Sequence, residues 1–281
     1  MRQRIIAALG ITVLAATGLT ACGDDSSDGG SGSSGGGDKI TIGIKFDQPG
    51  LGLKEGSNYT GMDVDVAKYV AKEMGFADDK VEFKESPSAQ RETLLSNGQV
   101  KLIFATYSIT DARKEKVSFA GPYLVAGQDL LVKADSTITG PDDLGGKKLC
   151  SVTGSTSAQK VADKYAKTVQ LQKYDTYSKC VEALSTGKID AVTTDNTILA
   201  GFAAQAANQG KFKVVGKTFS EERYGVGLKK GDKETCEKVN TALKKMVDSG
   251  DWQKAFDKNL GTAGLKLDPA TNPPKTFDAC A

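Results

Sequence analysis

The 281-residue chain contains no histidine. That absence excludes a Ser-His-Asp triad, a Cys-His nucleophile, a His-ligated zinc and a histidine general base. Nor is there a block of like charge. With residues 1–21 set aside, the loss of Arg2 and Arg4 takes Lys+Arg from 37 to 35, equal to Asp+Glu at 35. A neutral body without a basic stripe carries no electrostatic footprint for nucleic acid or for an anionic membrane surface. Two motif hits also fail. Gly32-Ser33-Ser34-Gly35-Gly36 fits G-x-S-x-G but lies in a low-complexity tract, without the strand and helix of a nucleophile elbow. Gly225-Val226-Gly227 has Lys230 where a dinucleotide fingerprint needs its third glycine. No cofactor is expected.

What is present is ordinary in bulk: 39% apolar and 26% charged residues, enough to bury the core of one large domain or two medium ones. The N-terminus is not ordinary. Basic Arg2 and Arg4 precede an apolar stretch from Ile5 to Leu14, too short for a spanning helix, and then Leu19-Thr20-Ala21-Cys22. Residues 1–21 read as an export signal. "LTAC" resembles a bacterial lipobox, which implies cleavage before Cys22, a diacylglyceryl group on its sulfur, and two acyl chains as a stable anchor. The competing reading is an ordinary secretory signal with an incidental cysteine. Residues 23–38 are almost all Gly, Ser and Asp, a flexible tether with a mean reach on the order of 20–25 Å.

From Lys39 the chain alternates. Ile40, Ile42 and Ile44 have strand period; Met62, Val66, Tyr69, Val70 and Met74 have helix period, with Gly75 as a stop. A strand around 81–83, a helix around 88–96 and a strand over 100–105 complete a βαβαβ pattern, so a parallel sheet flanked by helices is expected. The pattern then returns. Residues 95–106, "LSNGQVKLIFAT", can be laid on residues 184–195, "LSTGKIDAVTTD", at a constant offset of 89. Each copy reads as helix end, Gly cap, buried strand and a polar residue at the strand's carboxyl end. Ligands of open α/β sheets sit outside those ends, so Thr106 and Asp195 become equivalent positions facing one cleft.

With Cys22 assigned to lipid, Cys150, Cys180, Cys236 and Cys280 remain, an even number in an exported protein, at spacings that match no zinc pattern. They permit three connectivities. Cys150 with Cys180 and Cys236 with Cys280 is favoured, because each pair then falls within one proposed lobe.

These residues together resemble a known family. Its carriers are "GMDVDVA" (residues 61–67), "SITDARKEKVSFAGPY" (108–123), Gly154-Ser155-Thr156, "GKIDAVTTD" (187–195), "GVGLKKGD" (225–232) and "SGDWQKAFDKNLG" (249–261). The chain is similar, from about Lys39 to Leu260, to the extracytoplasmic solute-binding proteins of amino-acid ABC transporters, the polar amino-acid family 3. That family shares its fold with the ligand cores of ionotropic glutamate receptors. "KFDQPGLG" (45–52) looks most like the glutamate-binding lipoproteins of actinobacteria. The resemblance implies a two-lobed α/β fold of the type II periplasmic-binding kind. Lobe 1 would comprise residues 39–128 and 225–281 and lobe 2 residues 129–224, with crossings near 127–133 and 219–225 and hinge closure on ligand. It also implies a lipid-anchored monomer at the outer face of the cell membrane, which hands an acidic amino acid to a permease and its ATPase and performs no catalysis.

An α-amino acid presents a carboxylate, an ammonium and a side chain. Arg113 suits the carboxylate as a bidentate fork; its competing reading is a surface ion pair with Asp111 or Glu115. Ser155 and Thr156 open a helix through Val161 and Tyr165, so their backbone N–H groups suit the same carboxylate, although an ordinary N-cap would look alike. Asp195 suits the ammonium, assisted, as the resemblance implies, by the Thr106 carbonyl and the Ser108 hydroxyl; a helix N-cap competes. Lys45 and Arg91 match the side-chain contacts of the family's acidic-amino-acid binders and favour glutamate or aspartate over glutamine or a basic ligand. Arg91 could also sit on an exposed helix face. Tyr177 is a weaker candidate, as are Tyr107 and Tyr224. Asp63 and Asp65 read as first-turn helix charges. Two other functions share the fold by resemblance: a cyclohexadienyl or arogenate dehydratase, and an extracellular sensor or adhesive lipoprotein.

Overall fold

The alternating Ile40, Ile42 and Ile44 form a strand, Ile40–Ile44, with all three side chains buried. The computed structural model describes residues 39–165 and 168–280. The expected leader, the lipidated Cys22 and the tether lie outside the described residues. Strand Ile40–Ile44 pairs in parallel with Val81–Glu85 on one side and Leu102–Ile103 on the other. Glu222–Lys229 then runs antiparallel between Leu102–Ile103 and Val117–Ala126, completing a five-stranded sheet.

A second five-stranded sheet repeats the plan. Lys148–Val152 pairs in parallel with Gln170–Tyr174 and Ala191–Asp195, and Gln128–Lys133 runs antiparallel beside Ala191–Asp195 with Phe212–Val214 beyond it. Leu102–Ile103 and Ala191–Asp195 occupy the same place in their two sheets, each the second neighbour of a lobe's first parallel strand. The 89-residue repeat is therefore a repeat of structure; Asp195 ends its strand, and Thr106 stands in the bend that follows Leu102–Ile103. The chain leaves the first sheet at Ala126, joins the second at Gln128, and returns between Val214 and Glu222.

Helix Met62–Glu73 buries Met62, Val66, Ala67 and Val70 along one stripe. Each fully buried aliphatic of this kind contributes about 1.5–3 kcal/mol. The helix is entered through Gly61, whose φ is 118° and whose added Cβ would lie 2.0 Å from the Leu51 carbonyl oxygen. A larger residue does not fit there. Between residues 47 and 60 lies a small antiparallel sheet, Asp47–Gln48, Gly52–Glu55 and Asn58–Thr60, which the apolar periodicity did not signal.

Both disulfides form as favoured. Cys150, on a strand of the second lobe, joins Cys180 on helix Tyr177–Ser185, and Cys236, on helix Lys233–Asp248, joins Cys280. The C-terminal segment returns along strand Val117–Ala126. Asn272 accepts the Val125 N–H at 2.9 Å and donates to the Val125 carbonyl at 3.0 Å, and the Asp278 N–H donates to the Gly121 carbonyl at 2.7 Å.

Candidate functional site

The first lobe contributes the stretch from Thr106 to Arg113. Thr110 is an N-cap whose hydroxyl accepts the Arg113 N–H, so residues Asp111–Lys114 make one helical turn and the Arg113 side chain turns back toward the strand end. Its guanidinium is buried and bridges the lobes: Nη1 donates to the Ser108 carbonyl at 2.8 Å and Nη2 to the Gly154 carbonyl at 3.2 Å. Its carboxylate neighbour is Glu92, at 3.7 Å, rather than Asp111 or Glu115. The Tyr107 ring centroid lies 4.8 Å from the Arg113 guanidinium and 4.9 Å from that of Arg91, contacts worth about 0.5–2 kcal/mol each.

Arg91 is not on an exposed face. It is 2% exposed, its Nε reaches only the Ser86 carbonyl at 3.4 Å, and it makes no ion pair among the described residues. Burial, then the neighbouring Arg113 charge, push its pKa down. Lys45 is as buried and is likewise pushed down by burial, but it has a counter-ion, Asp47, at 3.6 Å, and its Nζ lies 5.9 Å from the Tyr177 ring centroid.

The second lobe answers with Asp195. It stands at the N-cap position of helix Asn196–Ala204, yet its side chain makes no capping hydrogen bond. Oδ2 accepts the Tyr224 hydroxyl at 2.6 Å, whereas Oδ1 is buried without a hydrogen-bond partner among the described residues. Burial, and then the Glu222 charge, push its pKa up to about 7. An orphan carboxylate oxygen in such a place costs on the order of 1–3 kcal/mol until a donor reaches it, and a cationic donor suits it best. Tyr177 is buried beside these groups and pushed up by burial and by Asp195.

One small cavity is lined by Arg91, Thr106, Arg113, Ser155, Thr156, Tyr177 and Asp195 together with Ser88, Ser157 and Ile198. Lys45 stands just behind Tyr177, and Ser108 meets Thr156 across the cleft at 3.5 Å. A larger open groove of about 700 Å³, between helix Asn196–Ala204 and residues 263–271, shares no lining residue with this cavity; its buried carboxylate, Asp129, is already taken by the N–H groups of Leu130 and Gly216. The chemistry belongs to the smaller cavity.

One expectation about the helix opening is corrected. The Ser155 N–H donates to the Val152 carbonyl at 3.1 Å, and the Ser155 hydroxyl caps the Ala158 N–H at 3.0 Å. The tight turn through Gly154 consumes that N–H, so Ser155 has no backbone donor left for an anion. Two groups were not anticipated. Glu222, 1% exposed, accepts from Thr156 at 3.2 Å, from Ser220 at 2.8 Å and from Lys160, and thereby orients the Thr156 hydroxyl. Asp63 is fully buried below Thr106, unlike Asp65, which pairs at the surface with Lys258 and Asn259. Helical period could have found it, since 63, 66, 67 and 70 share the apolar stripe.

Two α/β lobes crossed twice by the chain, with buried cations on one and a buried carboxylate on the other around a single cavity, define a two-lobed ligand-binding protein. Residues 40–262 match the bacterial extracellular solute-binding proteins, family 3, and the chain belongs to that family. It is 49% identical over 95% of its length to the glutamate-binding protein GluB of Corynebacterium glutamicum, covering 94% of that protein. Over 83% of each chain it is 39% identical to the glutamine-binding protein GlnH of a Bacillus subtilis ABC transporter. Among solved structures it matches an ancestral arginine-binding protein bound to glutamine, with a TM-score of 0.73 and 36% identity over 79% of this chain and 98% of that one. The fold is the type II binding-protein fold, and the chain is a binding protein, not an enzyme.

Proposed function

We propose that the protein is the lipid-anchored substrate-binding component of an ABC importer, capturing glutamate or aspartate between its lobes and delivering it to a permease and its ATPase. In this reading Arg113 and the Thr156 end of its helix hold the α-carboxylate, and Asp195 with the Thr106 carbonyl and Ser108 hydroxyl holds the ammonium. Arg91, with Lys45 and Tyr177 behind it, receives the side-chain carboxylate. The observation that carries the acidic preference is Arg91: a guanidinium buried beside the cavity with no ion-pair carboxylate among the described residues. A ligand carboxylate neutralises it, whereas a neutral amide leaves a desolvated charge uncompensated. Lys45 adds less than its charge suggests, because Asp47 already opposes it. The names of the corynebacterial and Bacillus relatives, glutamate-binding and glutamine-binding, bracket the choice.

Calorimetry with glutamate, aspartate, glutamine and arginine tests the reading. Glutamate or aspartate should bind most tightly; tighter binding of glutamine would sink it. The anchor is tested by labelled palmitate, which should be incorporated into the expressed protein and lost in Cys22→Ala.

A further inference from the structure

Thr106 is the only non-glycine residue with positive φ among the described residues, at 47°. For a β-branched side chain that conformation is strained, by about 1–3 kcal/mol, and persists only where the surroundings over-determine it. Asp63 supplies the determinant. Its Oδ2 accepts the Thr106 N–H at 3.1 Å, and its Oδ1 accepts the Tyr123 hydroxyl at 2.7 Å. The Thr106 hydroxyl is committed as well, to the Ala105 carbonyl at 2.7 Å and to Gln48 Oε1 at 3.3 Å. With N–H and hydroxyl both taken, the carbonyl is the polar group that Thr106 retains for a ligand in the cavity it lines.

We infer that Asp63 is a positioning residue for ligand binding: by accepting the Thr106 N–H it holds Thr106 in the left-handed conformation that presents its carbonyl to the ligand's α-ammonium. This rests on the reading that the cavity takes an α-amino acid. Asp63 never touches the ligand, so its loss weakens ligands that carry an α-amino group and spares those that lack one. The burial that pushes the Asp63 carboxyl up to about 6 marks how much solvation the site gives up to keep an acceptor there. Arg91 is its charged neighbour, so a second account, in which Asp63 acts as a remote counter-charge, must be told apart.

The test compares each amino acid with its deaminated counterpart, glutamate with glutarate first, by calorimetry on the full chain, with circular dichroism to check folding. Asp63→Ala should weaken glutamate by about tenfold, the equivalent of one hydrogen bond to a charged group, and leave glutarate within about twofold. Asp63→Asn keeps an acceptor without the charge and should retain most of the affinity; loss equal to that of Asp63→Ala would instead favour the counter-charge and overturn the inference. Thr106→Gly takes positive φ without help, so Asp63→Ala should cost glutamate far less in the Thr106→Gly background than in the wild-type one. Equal weakening of glutamate and glutarate overturns the inference, as does an Asp63→Ala loss that is as large in the Thr106→Gly background as in the wild-type one. If Asp63→Ala does not fold, Asp63→Asn decides: most of the affinity kept supports the inference, and a tenfold loss overturns it. A wild type that prefers glutamine sinks the acidic reading alone, because Asp63 is then tested with glutamine and its deaminated form. A wild type that binds no α-amino acid overturns both.

Discussion

Gly201, in the second lobe, lies so close under the first lobe's Pro49 that a Cβ on it would stand 2.0 Å from the Pro49 carbonyl oxygen. Gly154 is similarly placed against Ala89, 2.7 Å from Cβ to Cα, and Asp47 of the first lobe accepts the Ser178 N–H at the start of helix Tyr177–Ser185 at 3.2 Å. These contacts exist only with the lobes together.

Gly201→Ala therefore separates helix stability from closure. Alanine in a helix interior is favoured over glycine by about 1 kcal/mol, but the contact with Pro49 obstructs closure at about 1–3 kcal/mol. Ligand affinity should fall about tenfold while the unliganded melting temperature holds or rises. A variant with unchanged affinity would show that the lobes need not meet at Pro49.

Arg113 and Arg91 should fail differently. On the proposed reading Arg113→Ala removes the α-carboxylate contact common to all α-amino acids and should cost about 3 kcal/mol with each ligand tested, more than a hundredfold. Arg91→Ala should cost glutamate a similar amount but move glutamine by less than about fivefold. Titration calorimetry on both variants with both ligands gives the four numbers; equal losses for the two ligands in Arg91→Ala would remove Arg91 from the choice of substrate.

The proposed pairing of Asp195 with the ligand ammonium predicts binding that depends on pH. Its folded pKa, about 7, lies above that of an unfolded carboxyl, about 4, so the unliganded fold binds a proton that the unfolded chain does not across that window. Its contribution is fully present below about pH 4 and is lost as pH rises toward 7. A bound ammonium reverses the preference by holding Asp195 ionised between Tyr224, Glu222, Lys160 and Arg113. Affinity should accordingly climb with pH below 7, approaching about tenfold per unit, with proton release on binding. Calorimetry in buffers of different ionisation enthalpy reads that proton directly, and no release at pH 6 would contradict the placement of the ammonium.

The two disulfides should each matter for the lobe that holds them. Replacing Cys150 and Cys180 by serine should destabilise the second lobe by about 2–4 kcal/mol. The check is thermal melting with and without reductant, and a double-serine variant that melts with wild type would refute it.

Much of this architecture was legible because it is periodic. The isoleucines of the first strand, the stripe from Met62 to Val70 and the copy of residues 95–106 at 184–195 encode burial at fixed spacing, and burial at fixed spacing is what a sheet or helix needs. The patterns around Arg113, Arg91 and Asp195 marked them as site candidates, and the fold brings the three to one cavity. What escaped depends on tertiary approach. No local signal tells that Glu222 ends beneath Thr156, that Asp47 opposes Lys45, or that the turn through Gly154 consumes the Ser155 N–H. Asp63 does sit in a first helical turn, as read, but the apolar stripe carries it inward, whereas a carboxylate there usually faces water.

Strand Val117–Ala126 closes one side of its sheet, ten residues long and almost wholly apolar. A border of that kind, left bare, recruits strands from other copies. The side-chain amide of Asn272 reproduces on Val125 the paired donor and acceptor of a neighbouring strand, Asp278 adds a backbone bond at Gly121, and Cys236 staples the segment in place through Cys280. The C-terminal segment thus occupies the border that another copy's strand would otherwise pair with, and the Cys236–Cys280 bond ties it there.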